Sequence, residues 1–330
     1  MIQAAKVNAS TKKTIIVSGP TGCGKTSTSI EIGKKLKANG IESVIVNFDS
    51  LCFYKELNIG TAKPTKEERA QHPHSLIDIV SIQDDFNSSH FINLAEQEIE
   101  KLHSNGIIPI LVGGSAFYLR ALVKGMYETE ATPDSIKKEI EEIAKKDRLP
   151  GLVKKLEELD PQAMEALHPN DEYRITRALE HCMTTGQKWS EQKKLKDEID
   201  PYDLENNIDK DWEIFHIYLN LSKEEHYPLI ENRARKMVES GLVEEVQKLL
   251  KQGYTGEEKA MGSIGYKEVV AWLGEETQNK ESLIDQIFIH TRQLAKSQRT
   301  FFNKIHPKIE FHPLHDQEKV QSEALKFATH

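Results

Sequence analysis

The sequence contains few cysteines and no metal-spaced cysteine or histidine motif. Its three cysteines, Cys23, Cys52 and Cys182, do not form a CxxC pair anywhere. We therefore expect neither a disulfide framework nor a structural zinc site. The 13 histidines include no HExxH or similar set, so nearly all of them are expected to be surface or hydrogen-bonded residues.

Long apolar segments are also missing. No run approaches the roughly 20 apolar residues that a membrane-spanning helix needs. The first residues, Met1 to Lys6, lack the apolar stretch of a secretory signal. We therefore expect a cytoplasmic protein without a membrane partner.

The chain has no excess of positive charge. Its formal net charge of -8 argues mildly against a nucleic-acid partner. Binding to a nucleic acid depends on a local basic patch, however, so the net charge does not exclude such a partner. With 38% hydrophobic and 29% charged residues, the 330-residue chain has enough apolar material for a core. Its length suits one large domain with an insertion, or two domains.

The N-terminal part has the pattern of an α/β domain. Apolar, β-branched runs at Thr14–Ser18, Ser43–Phe48 and Ile107–Val112 are typical of strands buried in a parallel sheet. Helical spacing separates them at Thr26–Lys37 and Phe91–Ser104. This alternation predicts parallel strands joined by right-handed crossovers.

The pattern changes near residue 128. The chain then becomes rich in lysine and glutamate, with apolar residues at helical intervals and no strand pattern. Trp212–Leu219 alternates like a strand that rejoins the first sheet, and helices follow to about Lys304. We predict a core of residues 1–128 and 212–330, interrupted by a helical insertion at residues 129–211.

A phosphate-binding motif follows the first strand. The pattern G-x-x-x-x-G-K-[ST] is formed by Gly19, Pro20, Thr21, Gly22, Cys23, Gly24, Lys25 and Thr26. Its glycines let consecutive N–H groups point at one anion, and the following helix adds its positive N-terminal dipole. Lys25 supplies a cation for terminal phosphates, and the Thr26 hydroxyl can hold Mg²⁺. The predicted fold is therefore α/β, with a P-loop NTPase-like core whose parallel sheet is flanked by helices.

An acidic residue stands at the end of the second strand instead of the third. The strand Ile107–Val112 runs into Gly113, Gly114 and Ser115, without the acid that motor and switch enzymes use for Mg²⁺. Asp49 lies on the sheet edge where α/β enzymes bind ligands. It could hold Mg²⁺, take a proton from a nucleophile, or only cap a turn. The first 60 residues alone would also fit a P-loop small-molecule kinase.

A series of further blocks resembles one family, the tRNA dimethylallyltransferases. The blocks occur in the family's order and, with the P-loop, cover about residues 14 to 304. They are Asp49–Tyr54, Leu57–Pro64, Pro73–Asp78, Pro109–Tyr118, His168–Glu180, Gly241–Glu245, Ile264–Glu268 and Thr291–Gln298.

The resemblance implies a reaction and a set of partners. Dimethylallyl diphosphate would occupy the P-loop, with Mg²⁺ at Thr26, and N6 of an adenosine next to the anticodon would attack it. Lys25 and Thr26 would stabilise the leaving diphosphate, and Asp49 would take the N6 proton. The helical insertion would help to grip the anticodon stem-loop.

The resemblance also implies individual binding residues. Arg177 would join the P-loop in binding the diphosphate or nucleotide, and Arg174 would contact pyrophosphate or tRNA. The expected tRNA-binding residues are Asp49, Ser50, Leu51, Cys52, Ser115, Lys137, Tyr173, Arg174, Ile175, Thr176 and Arg177.

Some positions depart from the family pattern. Cys52 stands where a glutamine is expected, so an amide becomes a weakly hydrogen-bonding thiol. Ser115 replaces threonine, Cys23 replaces serine, and Gly262 and Ser263 replace a Gln-Ala pair. Altered substrate preference is one consequence we consider.

Other functions remain open alongside tRNA prenylation. Prenylation of free adenine nucleotides is one alternative, although a mononucleotide needs no insertion to grip a stem-loop. A non-catalytic RNA-binding module would leave the phosphate-binding motif unused. We expect the working form to be a monomer.

Overall fold

A computed structural model of the chain describes residues 12–61, 63–125, 132–197, 200–207, 210–277 and 279–330, except the side chains of residues 195–197. The chain forms two compact units. One contains Met1–Gly125 and Tyr202–His330, and the other contains Met126–Pro201. The predicted start of the insertion, at residue 129, lies outside the described residues.

The first unit is built on a six-stranded, all-parallel sheet. Its strands are β1 (Lys12–Ser18), β2 (Ser43–Asn47), β3 (His74–Ser75), β4 (Ile108–Gly113), β5 (Trp212–Leu219) and β6 (Ile309–Phe311). Their order in the sheet is β3-β2-β4-β1-β5-β6. The predicted α/β fold with a parallel sheet is confirmed.

Helices occupy most of the rest of the described chain. They are α1 (Lys25–Ala38), α2 (Lys66–Gln71), α3 (Ser88–Ser104), α4 (Ala116–Lys124), α5 (Asp134–Leu159), α6 (Ala163–Ala166), α7 (Glu172–Thr185), α8 (Trp189–Asp197), α9 (Lys223–Glu239), α10 (Leu242–Lys251), α11 (Tyr266–Leu273), α12 (Lys280–Phe302) and α13 (Gln317–Thr329).

The central strands are buried, as their apolar runs require. Ile15 of β1, Ile110 of β4 and Ile217 of β5 are all fully buried. Ile15 pairs with Ile110 on one side and with Phe215 on the other. The sheet core therefore continues through β5, and the predicted return of the chain at Trp212–Leu219 is confirmed.

The second unit is helical in all of its described elements. Its core contains Ile140, Leu152 and Leu156 of α5 packed with residues of α7 such as Ile175. Helix α5 is bent, because Arg148 has a positive φ of 53° and Pro150 lacks an N–H donor. Among the described helices of both units, none is long and apolar enough to cross a membrane.

Candidate active site

The carboxyl ends of β1, β2 and β4 meet at one edge of the sheet, because parallel strands all point the same way. The P-loop follows β1, Asp49 follows β2 by two residues, and Gly114 and Ser115 follow β4. The fold therefore brings these sequence-predicted residues of the first unit to a common edge.

The backbone of the P-loop has the glycine conformations that the motif predicts. Gly22 and Gly24 have φ values of 80° and 85°, a region that strongly favours glycine. Helix α1 begins directly after Gly24, with no acidic side chain in its first turn. The free N–H groups of that turn and the helix dipole therefore favour an anion at the loop.

The two polar side chains that end the motif remain available for a ligand. The Lys25 ammonium group donates to the backbone oxygens of Gly19 and Pro20, at 3.0 Å each. These bonds hold the cation at the loop, where phosphate oxygens can replace the carbonyl oxygens. The Thr26 hydroxyl is partly buried and makes no hydrogen bond within the described chain. It can therefore serve as an oxygen ligand to a divalent metal ion.

Asp49 is held in place while one carboxylate oxygen stays unpaired. Its backbone N–H donates to Asn47 Oδ1 at 3.0 Å, and its Oδ1 accepts the N–H of Leu51 at 3.3 Å. Its Oδ2 has no hydrogen-bond partner among the described residues. The same group thus caps a local turn and still presents a free acceptor, which a general base needs.

Ser115 ties the turn after β4 to the segment after β2. Its hydroxyl accepts the Ser50 N–H at 3.2 Å and donates to Ser50 Oγ at 3.4 Å. Cys52 lies close by but is only 5% exposed. Burial, reinforced by the charge of Asp49, raises the pKa of its thiol, so the thiol is neutral. A role for Cys52 in tRNA binding stays a prediction.

Three site residues were missed by sequence reasoning. Gln298 of α12 contacts both the P-loop and Gly114. His226 of α9 donates from Nε2 to the backbone oxygen of Thr21 at 2.9 Å. Arg233 of α9 is partly buried, with no ion-pair or hydrogen-bond partner in the described chain. Burial lowers its pKa, while the negative charge of Asp49 acts to raise it.

Other blocks of the family resemblance have a structural explanation. The Tyr266 hydroxyl donates to Glu245 Oε1 at 2.5 Å and accepts the Gly60 N–H at 3.2 Å. Glu245 also accepts the N–H of Ile59 at 3.1 Å. Three blocks distant in sequence, around Gly60, Glu245 and Tyr266, are therefore joined in one partly buried network.

A cavity of about 550 Å³ opens beside the P-loop. Gly22 and Gly24 line it, together with apolar side chains that follow β5 and β6, such as Leu221 and Leu314. Asp49 does not line this cavity. We therefore do not assign this cavity to a nucleobase that would react next to Asp49.

The predicted tRNA-binding residues of the second unit lie on α5 and α7. Tyr173 is 70% exposed, and the guanidinium of Arg177 lies 5.5 Å from the centre of its ring. Exposed Arg174 pairs with Asp171, and exposed Arg177 with Glu180, both at 2.6 Å. Of the other predicted residues in this unit, Lys137 is exposed, Thr176 is partly buried, and Ile175 is fully buried.

Buried histidines make the stability of this fold dependent on pH. Burial, together with the charge of Lys308, lowers the pKa of His216 to about 3, and burial lowers that of His226 to about 4. Histidine in an unfolded chain has a pKa of about 6.5. Between these values the unfolded chain binds protons that the folded chain does not, so acid favours unfolding.

We expect the free energy of unfolding to fall as the pH drops from about 6.5 towards 4. Each such histidine contributes at most about 1.4 kcal/mol per pH unit. Urea unfolding at a series of pH values measures this slope. His216→Gln can keep a hydrogen bond to the Ser18 hydroxyl, which His216 contacts at 2.7 Å. The His216→Gln variant should therefore show a shallower slope, by up to about 1.4 kcal/mol per pH unit, which corresponds to one proton. An unchanged slope would mean that His216 does not take up a proton on unfolding.

Comparison with known proteins gives a consistent result. The family model described as IPP transferase matches residues 52–305. Among curated proteins, the tRNA dimethylallyltransferase 2 of Geotalea uraniireducens is 37% identical over 88% of this chain and 89% of its own length. The tRNA dimethylallyltransferase of Thermotoga maritima is 36% identical over 88% of this chain and 90% of its own length.

Solved structures agree with the sequence relatives. A eukaryotic dimethylallyltransferase acting on tRNA is 26% identical to this chain and superposes with a TM-score of 0.75. The match covers 94% of this chain and 77% of the eukaryotic one. The full-length tRNA isopentenylpyrophosphate transferase of Bacillus halodurans is 28% identical and gives a TM-score of 0.66. This match covers 96% of our chain and 98% of the Bacillus halodurans chain.

Proposed function

Because the chain belongs to the IPP transferase family, we propose that it transfers a dimethylallyl group from dimethylallyl diphosphate to N6 of an adenosine next to the anticodon. Dimethylallyl transfer to tRNA is the activity of its relatives, and it is the activity of this chain. Our proposal adds that the donor is dimethylallyl diphosphate and that the modified adenosine is the one next to the anticodon. The observation that carries it is an anion-binding loop and a half-free Asp49 carboxylate at the same sheet edge.

The P-loop binds the diphosphate of the donor in this proposal. Lys25 exchanges its two carbonyl partners for phosphate oxygens, and the N–H groups at the start of α1 point at the same anion. Arg233, which has no ion-pair or hydrogen-bond partner among the described residues, supplies a further cation on the Asp49 side. These groups act most strongly when negative charge builds on the diphosphate as the allylic C–O bond breaks.

The family uses a divalent metal ion, which we assign as Mg²⁺ held by the Thr26 hydroxyl. Bound there, it would neutralise part of the charge on the leaving diphosphate. The unpaired hydroxyl of Thr26 at the first turn of α1 supports this assignment.

Asp49 acts as the general base in our proposal. The exocyclic N6 is a weak nucleophile, since its lone pair is delocalised into the adenine ring. As N6 bonds to the allylic carbon and diphosphate leaves, Asp49 Oδ2 accepts the N6 proton. The bond from Leu51 to Oδ1 fixes the carboxylate so that Oδ2 is the oxygen left free for this proton.

The helical unit grips the anticodon stem-loop in this proposal. Exposed Tyr173 offers a face on which an unpaired base can stack, and exposed Arg174 and Arg177 can exchange their acidic partners for phosphates. Ile175 belongs to the helical core, so it would support this surface from below. Lys137, exposed in the first turn of α5, supplies a further cation of this unit.

We expect Lys137→Ala to weaken tRNA binding while affinity for dimethylallyl diphosphate stays unchanged. The side chain is exposed, and its one contact among the described residues is with Asp134 at 3.4 Å, so an RNA phosphate can readily engage it. The slope of log K against log salt should flatten by about 0.7 to 0.9 for one lost contact. Lys145→Ala, which removes a more exposed lysine of the same helix that also contacts an acidic neighbour, is the control. Equal effects of both changes would count Lys137 as an ordinary solvated lysine.

A transfer assay tests the whole proposal. The protein is incubated with radiolabelled dimethylallyl diphosphate and Mg²⁺, and with unmodified tRNA, AMP or ATP as acceptor. We expect label on tRNA alone, at the adenosine next to the anticodon. Label on AMP or ATP would instead assign the chain to free-nucleotide prenylation. Phosphate transfer from ATP to a small molecule without prenylation would assign a kinase.

A further inference from the structure

Gln298 reaches the active-site edge from a distant part of the chain. Thr291, Ala295 and Phe302 of α12 are buried at spacings that place them on the same side of the helix as Gln298. The ring of Phe302 lies 5.8 Å from that of Tyr218 in β5, which packs the end of α12 against the sheet. The partly buried Gln298 side chain therefore extends from a well-anchored helix.

The amide of Gln298 makes two different hydrogen bonds with its two ends. Its Oε1 accepts the backbone N–H of Thr21, in the middle of the P-loop, at 2.8 Å. Its Nε2 donates to the backbone oxygen of Gly114, in the turn after β4, at 3.0 Å. One partner requires an acceptor and the other a donor, and the carboxamide of Gln298 supplies both without a charge.

The carbonyl group of Thr21 is held from α9, by a histidine that α12 contacts in turn. His226 donates to the Thr21 carbonyl at 2.9 Å, and its second ring nitrogen, Nδ1, accepts from the guanidinium of Arg299. Both polar backbone groups of Thr21 are therefore fixed by α12, one directly and one through a histidine. The loop that presents N–H groups to the diphosphate is therefore preorganised before the diphosphate binds.

The other end of the bridge leads towards Asp49, the proposed general base. A Cβ atom on Gly114 would lie 2.6 Å from Gln298 Nε2, so any side chain there would displace the Gln298 amide from this position. The next residue, Ser115, bonds to Ser50, which directly follows Asp49. Gln298 thus joins the phosphate loop to the turn that supports the carboxylate.

We infer that Gln298 is a positioning residue for the transfer reaction, setting the spacing between the diphosphate loop and the Asp49 segment. The inference rests on the proposed function, in which both groups act on one reacting centre. Displacement of one group by about 1 Å can slow such a reaction by about 10²-fold.

Two substitutions test the two bonds. Gln298→Met keeps similar length and no charge but makes neither bond. Gln298→Glu keeps the acceptor for Thr21 but offers no donor to the Gly114 oxygen. Gln293→Met is the matched control, because Gln293 is an exposed glutamine of the same helix. For each protein we would measure the unfolding temperature, the dissociation constant for inorganic pyrophosphate with Mg²⁺, and the single-turnover rate at saturating substrates.

We expect Gln298→Met to weaken pyrophosphate binding by about 3- to 20-fold and to lower the single-turnover rate by about 10- to 100-fold. Gln298→Glu should fold and still be slow, since the bond to Gly114 is lost. The Gln293→Met control should match the wild type. Pyrophosphate affinity and turnover within twofold of wild type in Gln298→Met, even with a lower unfolding temperature, would overturn the inference. A wild-type rate in Gln298→Glu would overturn the role of the Gly114 bond.

The pyrophosphate measurement separates this inference from the proposed function. If the wild type did not prenylate tRNA, the proposed function would fail, and the binding data would still report whether Gln298 orders the loop. If the wild type prenylated tRNA and the Gln298 variants did so equally well, only the positioning role would fail.

Discussion

Lys25→Ala is expected to lower kcat by about 10²-fold or more with both substrates saturating. The lysine cation attracts the diphosphate more strongly as the C–O bond breaks, so its loss costs more in the transition state than in the bound ground state. Its only hydrogen bonds in the described chain are to the carbonyl oxygens of Gly19 and Pro20, both within the loop. The loss of the side chain should therefore leave the rest of the fold intact. Single-turnover kinetics at saturating dimethylallyl diphosphate measure the effect.

The control is Lys35→Ala, which removes an exposed lysine from the same helix. It should leave both the rate and the affinity for dimethylallyl diphosphate unchanged. Normal turnover by Lys25→Ala under saturating conditions would show that the P-loop does not hold the leaving diphosphate.

The strands that could be predicted from the sequence are those that contain a run of buried apolar residues. The segments now assigned to β1, β2, β4 and β5 combine β-branched and apolar residues over five to eight positions. Strands β3 and β6 are only two and three residues long, and no pattern can develop over such a length. Helix α13 was also missed, because Val320 and Ala324 are its only fully buried residues. Short or weakly buried elements are fixed by their neighbours, which a sequence pattern does not contain.

The local part of the site was predictable and the long-range part was not. The P-loop is a run of eight neighbouring residues whose glycine conformations follow from the motif itself. Gln298 and His226 contact Thr21 across 277 and 205 residues, and no local signal indicates such a contact. Gln298 did end one of the family-like blocks, which was the available hint. Arg233 lies in a charged stretch of α9, where a solvated arginine is the ordinary expectation.

Cys52 illustrates a different limit of sequence reasoning. The sequence reveals that a thiol stands where the family pattern has an amide, but it does not reveal how deeply the thiol is buried. At 5% exposure and with a raised pKa, the thiol is a neutral and weak hydrogen-bonding group beside Asp49. Any change in substrate choice therefore arises from the shape of the site and from the loss of an amide, and not from a new charge.

Asp49→Asn should lower the single-turnover rate by about 10²–10⁴-fold while tRNA and dimethylallyl diphosphate bind nearly as well. Asparagine keeps an acceptor at Oδ1 for the Leu51 N–H, so the turn after β2 is preserved. Its amide nitrogen takes the place of Oδ2, the oxygen without a partner among the described residues, and it cannot accept a proton. Asp285→Asn, an exposed position on α12, is the matched control.

Magnesium dependence separates the two chemical roles that Asp49 could have. If Asp49 is the general base, Mg²⁺ cannot replace it, so raising Mg²⁺ should leave the rate of Asp49→Asn low. If Asp49 is instead a metal ligand, the variant would bind metal and diphosphate poorly, and excess Mg²⁺ would restore much of the rate. Full recovery by Mg²⁺ would rule out the base assignment and leave the N6 proton to water or to the departing diphosphate. The geometry favours the base, because Thr26 already offers an unpaired hydroxyl at the loop, whereas Asp49 follows a different strand and holds one free acceptor.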